Sequence, residues 1–150
     1  MSALQSILLA TDFRPASKEA ARVAARLASA FGSRVSLLHV IEPLPSWPVA
    51  VELFQDQAEG LLRELADELA AQGVAVTDPI LAVGPAGDTI VQKAQELDVD
   101  LILIGAGEES RFERYSPGPV AEEVLEMAPQ PVLAVRPGGP PLRFQKILCP

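Results

Sequence analysis

The chain has 150 residues, 49% of them hydrophobic, and a net charge of −8 because 20 acidic side chains outnumber 12 Lys and Arg. This length suits one domain with a substantial core and is too short for two ordinary ones. The acidic balance argues against a nucleic-acid partner, since that affinity depends on neutralising phosphates with Lys and Arg. No apolar run approaches the roughly 20 residues that span a membrane, so we expect no membrane segment.

The metal-ligating residue types are scarce. Cys149 is the only cysteine and His39 the only histidine, whereas a structural zinc site needs about four such ligands. We predict no metal site, and we expect His39, which lies in an apolar run, to be packed and hydrogen-bonded rather than catalytic. The opening MSALQS lacks the features of a secretory signal, and a lone cysteine has no intrachain disulfide partner. We therefore expect a cytoplasmic location.

The first half of the chain alternates short apolar runs with amphipathic segments. Residues 6–10 (SILLA) and 35–41 predict strands that are buried on both faces. Between them, Pro15 opens a helix that Gly32 suits as a left-handed end. Residues 52–72 predict a second helix by the same three- and four-residue spacing. The apolar stripe predicted for the first helix comprises Ala20, Val23, Ala24, Leu27, Ala28 and Phe31.

The second half continues this alternation. Residues 74–83 and 101–105 predict the third and fourth strands, and a helix with Leu97 on its inner face lies between them. A fourth helix must end before Pro129, and residues 132–135 predict a fifth strand. The order of strands and helices predicts an α/β fold, a parallel sheet with helices on both faces and right-handed crossovers.

The composition of the C-terminal residues predicts a domain boundary. Residues 138–143 are Gly- and Pro-rich and are interpreted as a linker, which assigns the domain to residues 1–137. Residues 144–150 (FQKILCP) repeat the polar-then-apolar pattern that opens the chain. We interpret them as the first strand of a second copy of the domain. The alternative is a C-terminal edge strand or tail.

The fold class predicts where a ligand would bind. In open α/β sheets the site lies at the carboxyl ends of the strands where strand order reverses, expected here between the first and fourth strands. The candidates are therefore Thr11 and Asp12 after the first strand, Val40 and Ile41 at the end of the second, and the loop over residues 105–118. Asp12 could accept hydrogen bonds from a ribose or an amino group. An Asp between a strand and a helix is equally an ordinary helix-start residue, and the sequence leaves both roles open.

Several short motifs, taken together, resemble the universal stress protein family over residues 4–137. The resemblance implies a Rossmann-like fold of the adenine nucleotide alpha hydrolase type, with a five-stranded parallel sheet in the order 3-2-1-4-5. It also implies dimers that commonly pair through the fifth strand, and ATP binding in many members but not all. The motifs are Ala10-Thr11-Asp12-Phe13, Ser17, His39-Val40, Gly84-Pro85 before Ile90 and Ala94, Asp100-Leu101-Ile102 before Gly105, Gly118-x-Val120-Ala121-Glu122, and Ala128-Pro129-x-Pro131-Val132.

The chain keeps the spacing of the family's nucleotide signature but differs from it in residue type at two positions. The signature reads Gly, two residues, Gly, nine residues, Gly, then Ser or Thr; counted from Gly105, Glu108 replaces the second glycine and Pro119 the hydroxyl residue. Glu108 brings negative charge towards the phosphates, and Pro119 has neither a hydroxyl nor an N–H, although it suits the first helical position after Gly118. We predict a weakened nucleotide pocket. Its positions are Thr11, Asp12, Val40, Gly105, Glu108, Gly118, Pro119 and Val120.

Two features of the same loop could restore phosphate binding. Gly107 would take the glycine role if the loop were shifted by one residue, and Arg111 or Arg114 would offset Glu108 by folding inward.

Three classes of function follow from these observations. The first is a non-enzymatic stress-response module without a cofactor, which acts through a homodimer, through pairing with a second copy in the same chain, or through other protein contacts. The second is a sensor that binds ATP, AMP or adenosine. The third, a flavodoxin-like receiver, needs a phosphorylatable Asp at the end of the third strand, which here reads Ala82-Val83-Gly84. No nucleophile or catalytic base emerges, so no enzymatic reaction is assigned.

Overall fold

The computed structural model describes residues 4–43, 49–106 and 118–137, with residues 49 and 50 described as helical backbone only. Strands and helices alternate along these residues, which confirms the predicted α/β class. The elements in chain order are β1 Ser6–Ala10, α1 Pro15–Phe31, β2 Arg34–Ile41, α2 Val49–Ala71, β3 Ala75–Val76, β4 Ile80–Val83, α3 Ala86–Leu97, β5 Leu101–Gly105, α4 Pro119–Met127 and β6 Val132–Val135.

Every strand pairing in the sheet is parallel. The sheet runs β3-β2-β1-β5-β6, and β4 also pairs with β2. In the central strand β1, Ile7 pairs with Val35 on one side and with Leu101 on the other. The chain builds outwards from β1 to one edge and then crosses to β5, so strand order reverses between β1 and β5 as predicted.

The predicted third strand is divided into β3 and β4, so six strands replace the expected five within the described residues. Both segments lie on the same side of β2, one after the other along the strand. Arg34 pairs with Ala75, whereas Leu38 pairs with Ile80, so four steps along β2 match five steps along its partner. The extra residue lies between Val76 and Ile80, a stretch that includes Pro79, which has no N–H to donate to the neighbouring strand.

Two apolar cores cover the faces of the sheet. In β1, Ile7 and Leu9 face the core beneath α1 and α2, while Leu8 and Ala10 face the core beneath α3 and α4. All four side chains are buried. Burial on both faces explains why the strands appear in the sequence as continuous apolar runs.

The helix ends follow the predicted signals, with two differences in burial. Gly32 ends α1 in the left-handed conformation, with φ of 68° and its N–H donating to Ala28 O. Phe31 and Leu97 were predicted on apolar faces but are 50% and 41% exposed. Each is the last residue of its helix, where the chain turns towards the next strand and the sheet no longer covers the side chain.

Among the described residues, no helix is both long and apolar enough to cross a membrane. The predicted linker at 138–143 and the predicted second-copy strand at 144–150 lie outside these residues.

Candidate functional site

A cleft of about 290 Å³ opens at the carboxyl ends of β1, β2 and β5, where strand order reverses. Its volume lies near the lower end of the range for small-molecule sites, which are mostly apolar with a few polar groups. The apolar lining comes from Ala10, Leu38, Val40, Ala86, Ile90, Ile104 and Val120, and the remaining lining from Thr11, Asp12, Arg14, Ser17, Glu42 and Gly105.

The structure brings five of the eight predicted site residues together in this cleft. They are Thr11, Asp12, Val40, Gly105 and Val120. Gly118 and Pro119 directly precede Val120 at the start of α4. Glu108 lies outside the described residues, as do Gly107, Arg111 and Arg114. That these positions bind a nucleotide stays a prediction.

Hydrogen bonds of Thr11 hold the turn between β1 and α1. Its N–H donates to Leu38 O at 2.9 Å, and its hydroxyl accepts from the Phe13 N–H at 3.0 Å. His39 Nδ1 lies 2.7 Å from Thr11 O, and the His39 and Phe13 ring centroids are 4.7 Å apart. His39 is therefore packed and hydrogen-bonded, as the sequence predicted. These contacts hold Phe13 in a left-handed conformation, with φ of 66°.

Asp12 organises the next part of the turn through one carboxylate oxygen. Its Oδ1 accepts from the Arg14 N–H at 3.0 Å and from Ser17 Oγ at 2.6 Å, while its own N–H donates to Ser17 Oγ at 3.2 Å. This is an Asx-type turn that leads into α1. Asp12 thus has the helix-start role that the sequence left open, while its Oδ2 lies 4.0 Å from Arg14 Nε. A role in ligand binding stays a prediction.

Gly105 is required by packing between β5 and the first turn of α1. A Cβ at this position would lie 2.5 Å from Ser17 N and 2.6 Å from the Ala16 carbonyl carbon. These are backbone atoms, which cannot move aside as the end of a flexible side chain can. The first glycine of the signature therefore has a structural reason that needs no ligand.

The start of α4 has the geometry predicted for Gly118 and Pro119. Gly118 is the N-cap, with φ of 97°, and Pro119 occupies the first helical turn. Gly118 makes no side-chain cap hydrogen bond, so the turn is set by backbone conformation and by the Glu122 N–H, which donates to Gly118 O at 2.9 Å. Positive φ favours glycine here, and proline has no N–H to offer a ligand.

Two charged residues of the cleft were not identified from the sequence. Arg14 and Glu42 line it together with Asp12, giving two acids and one base among the described lining residues. Arg14 stands two residues after Asp12, and Glu42 directly follows β2, but neither position belongs to a motif. Among the described residues, no three His, Cys, Asp or Glu side chains converge as metal ligands would.

A parallel, doubly wound sheet with a cleft at the point of strand reversal defines the class of open α/β proteins, in which the ligands of those members that bind one lie at this position. Within that class, the chain belongs to the universal stress protein family, whose family model matches residues 3–136. It is 30% identical over 140 residues to universal stress protein MJ0531 of Methanocaldococcus jannaschii, covering 88% of this chain and 82% of that protein. It is 33% identical over 135 residues to a universal stress protein of Thermus aquaticus, covering 88% and 98% of the two chains.

Solved structures share the fold. UspA of Lactobacillus plantarum superposes with a TM-score of 0.75 at 24% identity, covering 88% of this chain and 97% of that one. A universal stress protein in complex with cAMP gives 0.70 at 24% identity, covering 91% and 100%. The protein from Archaeoglobus fulgidus in complex with dAMP gives 0.63 at 24% identity, covering 90% and 99%.

Proposed function

We propose that this chain is a non-enzymatic regulatory module of the universal stress protein family, which acts through dimerisation or other protein contacts and whose nucleotide site holds phosphates poorly. The observation that carries the proposal is Pro119 in the first turn of α4. Anions bind helix N-termini through backbone N–H groups, and proline removes one of them together with the hydroxyl that the family signature places there.

The charges of the cleft support the same conclusion. Asp12 and Glu42 line it with Arg14 as the one base among the described lining residues, and Glu108 adds a further acid to the signature. A bound polyphosphate carries several negative charges, so nearby acidic side chains raise its free energy. ATP should therefore gain little from its phosphates in this cleft.

The hydroxyl groups of the cleft support a role without catalysis. Ser17 Oγ donates to Asp12 Oδ1, and Thr11 Oγ1 accepts from the Phe13 N–H. Both hydroxyls take part in the turn before α1, and among the described residues no histidine hydrogen-bonds to either of them as an activating base would. The ring nitrogen Nδ1 of His39 is engaged with Thr11 O.

Calorimetric titration with ATP tests the proposal. The native protein should bind ATP with a Kd weaker than about 1 mM, because the described lining residues offer the phosphates one base against two acids. A Kd in the low micromolar range would show that the loop after β5 supplies the missing contacts, and it would overturn the proposal.

A second candidate function is a sensor of adenosine or AMP, and the cleft itself favours it. Val40, Ile90 and Ile104 give apolar walls, and Asp12 is a hydrogen-bond acceptor at the rim. Relatives of the same fold have been solved with cAMP and with dAMP, which are ligands with a single phosphate. A ligand of this type needs less of the phosphate-binding loop than ATP does.

Titration with adenosine and AMP tests this candidate in the same instrument. If it is right, both ligands bind and Ala86→Phe abolishes the heat signal, because Ala86 lines the cleft. Ala70→Phe is the matched control, since Ala70 is exposed near the end of α2 and does not line the cleft. Silence of the native protein towards both ligands would rule the sensor out.

A further inference from the structure

A groove of about 520 Å³ separates α1 from α2 on the side of the sheet that carries these two helices. Both helices pack mainly against the strands. Lys18 and Arg22 line the groove from α1, and Leu61, Glu64, Leu65 and Glu68 line it from α2. None of these six residues lines the cleft described above, although Thr11 and Ser17 line both the groove and the cleft.

Leu61 and Leu65 are large apolar residues in the α2 wall of the groove, and Phe54 lies on the same helix outside the groove lining. Leu65 is half-buried against the core. Phe54, Leu61 and Leu65 are seven and four residues apart, so they lie on one side of the helix. Phe54 is 49% exposed and Leu61 is 37% exposed, whereas Leu62, on the side facing the sheet, is buried. Aligned large apolar side chains at the surface mark a site of interaction.

The two walls carry opposite charges in rows. Lys18 and Arg22 stand four residues apart and form a basic row along α1, while Glu64 and Glu68 form an acidic row with the same spacing along α2. In the part of the chain that the structure describes, Arg22 pairs with Glu19 of its own helix, and no ion pair joins the two rows. The rows are therefore separated by the width of the groove.

We propose that this groove is an interface with a second copy of the same chain, related by a two-fold axis that runs along the groove. That rotation places the basic row of each copy opposite the acidic row of the other, so every favourable contact occurs twice. It also brings Leu61 of both copies, which lines the groove, close to the axis. The groove carries both signs of charge, so this rotation sets opposite charges, not like charges, against each other.

This interface is distinct from the edge of β6, through which the family resemblance predicts dimers. The two contacts use different surfaces and can coexist, in which case the chain forms an assembly larger than a dimer. The inference goes beyond the proposed function by naming a partner and a surface. Its test involves no nucleotide, so either one can fail without the other.

Charge reversal tests the interface. The double variant Lys18→Glu, Arg22→Glu has two acidic rows, and Glu64→Lys, Glu68→Lys has two basic rows. Each variant alone should repel its own copy and show half the native mass by sedimentation velocity. An equimolar mixture should regain the native mass as a heteromeric assembly, because the acidic rows of one variant then face the basic rows of the other.

The control is Glu96→Lys, Glu126→Lys, which changes the net charge as Glu64→Lys, Glu68→Lys does, but on α3 and α4, outside the groove. It should keep the native mass, and circular dichroism should show that all variants are folded. Native mass in both charge-reversed variants, or a mixture that fails to reassemble, overturns the interface. A native chain that is monomeric at about 100 μM also overturns it and leaves the groove to an amphipathic segment of another protein.

Discussion

At the scale of single residues, several residues of the candidate site have structural roles that need no ligand. Gly105 lets α1 approach β5, and Asp12 with Ser17 forms the turn that starts α1. The sequence could predict these residues because they belong to a motif whose spacing is conspicuous. It could not assign the reason for Gly105, because the atoms that a Cβ would meet belong to a helix almost ninety residues earlier in the chain.

Gly105→Ala should destabilise the protein by about 1–3 kcal/mol, since the added Cβ would overlap the backbone of Ala16 and Ser17. The matched control is Gly60→Ala in α2, where an added Cβ meets nothing within 4 Å. This control should stabilise the protein by roughly 0.5–1 kcal/mol, because alanine favours a helix interior. Denaturant unfolding measures both. Equal stability of Gly105→Ala and the native protein would contradict the packing argument.

Ser17→Ala should cost about 1–2 kcal/mol, because it removes the partner of both the Asp12 carboxylate and the Asp12 N–H. Ser29→Ala, at an exposed position of the same helix, should stay within about 0.5 kcal/mol of the native value. Thermal or denaturant unfolding of the two variants gives the comparison. If both substitutions have the same small effect, the turn before α1 does not depend on Ser17.

At the scale of secondary structure, periodicity predicted the kind and order of the elements and missed local exceptions. Apolar runs identified the strands because parallel strands are buried on both faces. The break between β3 and β4 was missed although Thr77, Asp78 and Pro79 interrupt the apolar run; only the extra residue itself needs the register against β2 to be seen. The exposure of Phe31 was missed because helical spacing predicts which side of the helix a residue faces. It does not predict how far along the helix the sheet extends.

The same limit gives a prediction for α2, whose apolar residues are of two kinds. Leu62→Ala should cost about 2–5 kcal/mol because Leu62 is 1% exposed in the core. Phe54→Ala should cost less than half as much, although it removes more atoms, because Phe54 is already 49% exposed. The free energies of unfolding of the two variants measure both costs. Equal costs would contradict the exposure of the Phe54 side chain.

At the scale of the whole molecule, the sheet order brings together residues that no local pattern connects. Arg14 and Glu42 meet at the cleft from different strand ends, and the charged rows of the groove come from two helices. Sequence motifs predicted where the cleft lies because the point of strand reversal follows from the fold class. Its charge balance and the groove could not be predicted, because they depend on which helix faces pack side by side.

The most direct test of the weakened phosphate site is calorimetric titration of ATP into the native protein and into the double variant Glu108→Gly, Pro119→Ser. The variant restores the residue types of the family signature and returns an N–H and a hydroxyl to the start of α4. We predict no measurable binding to the native protein and a gain of at least about 100-fold in affinity for the variant, equal to roughly 2.7 kcal/mol. Tight ATP binding by the native protein, or a folded double variant that stays silent, would contradict the account.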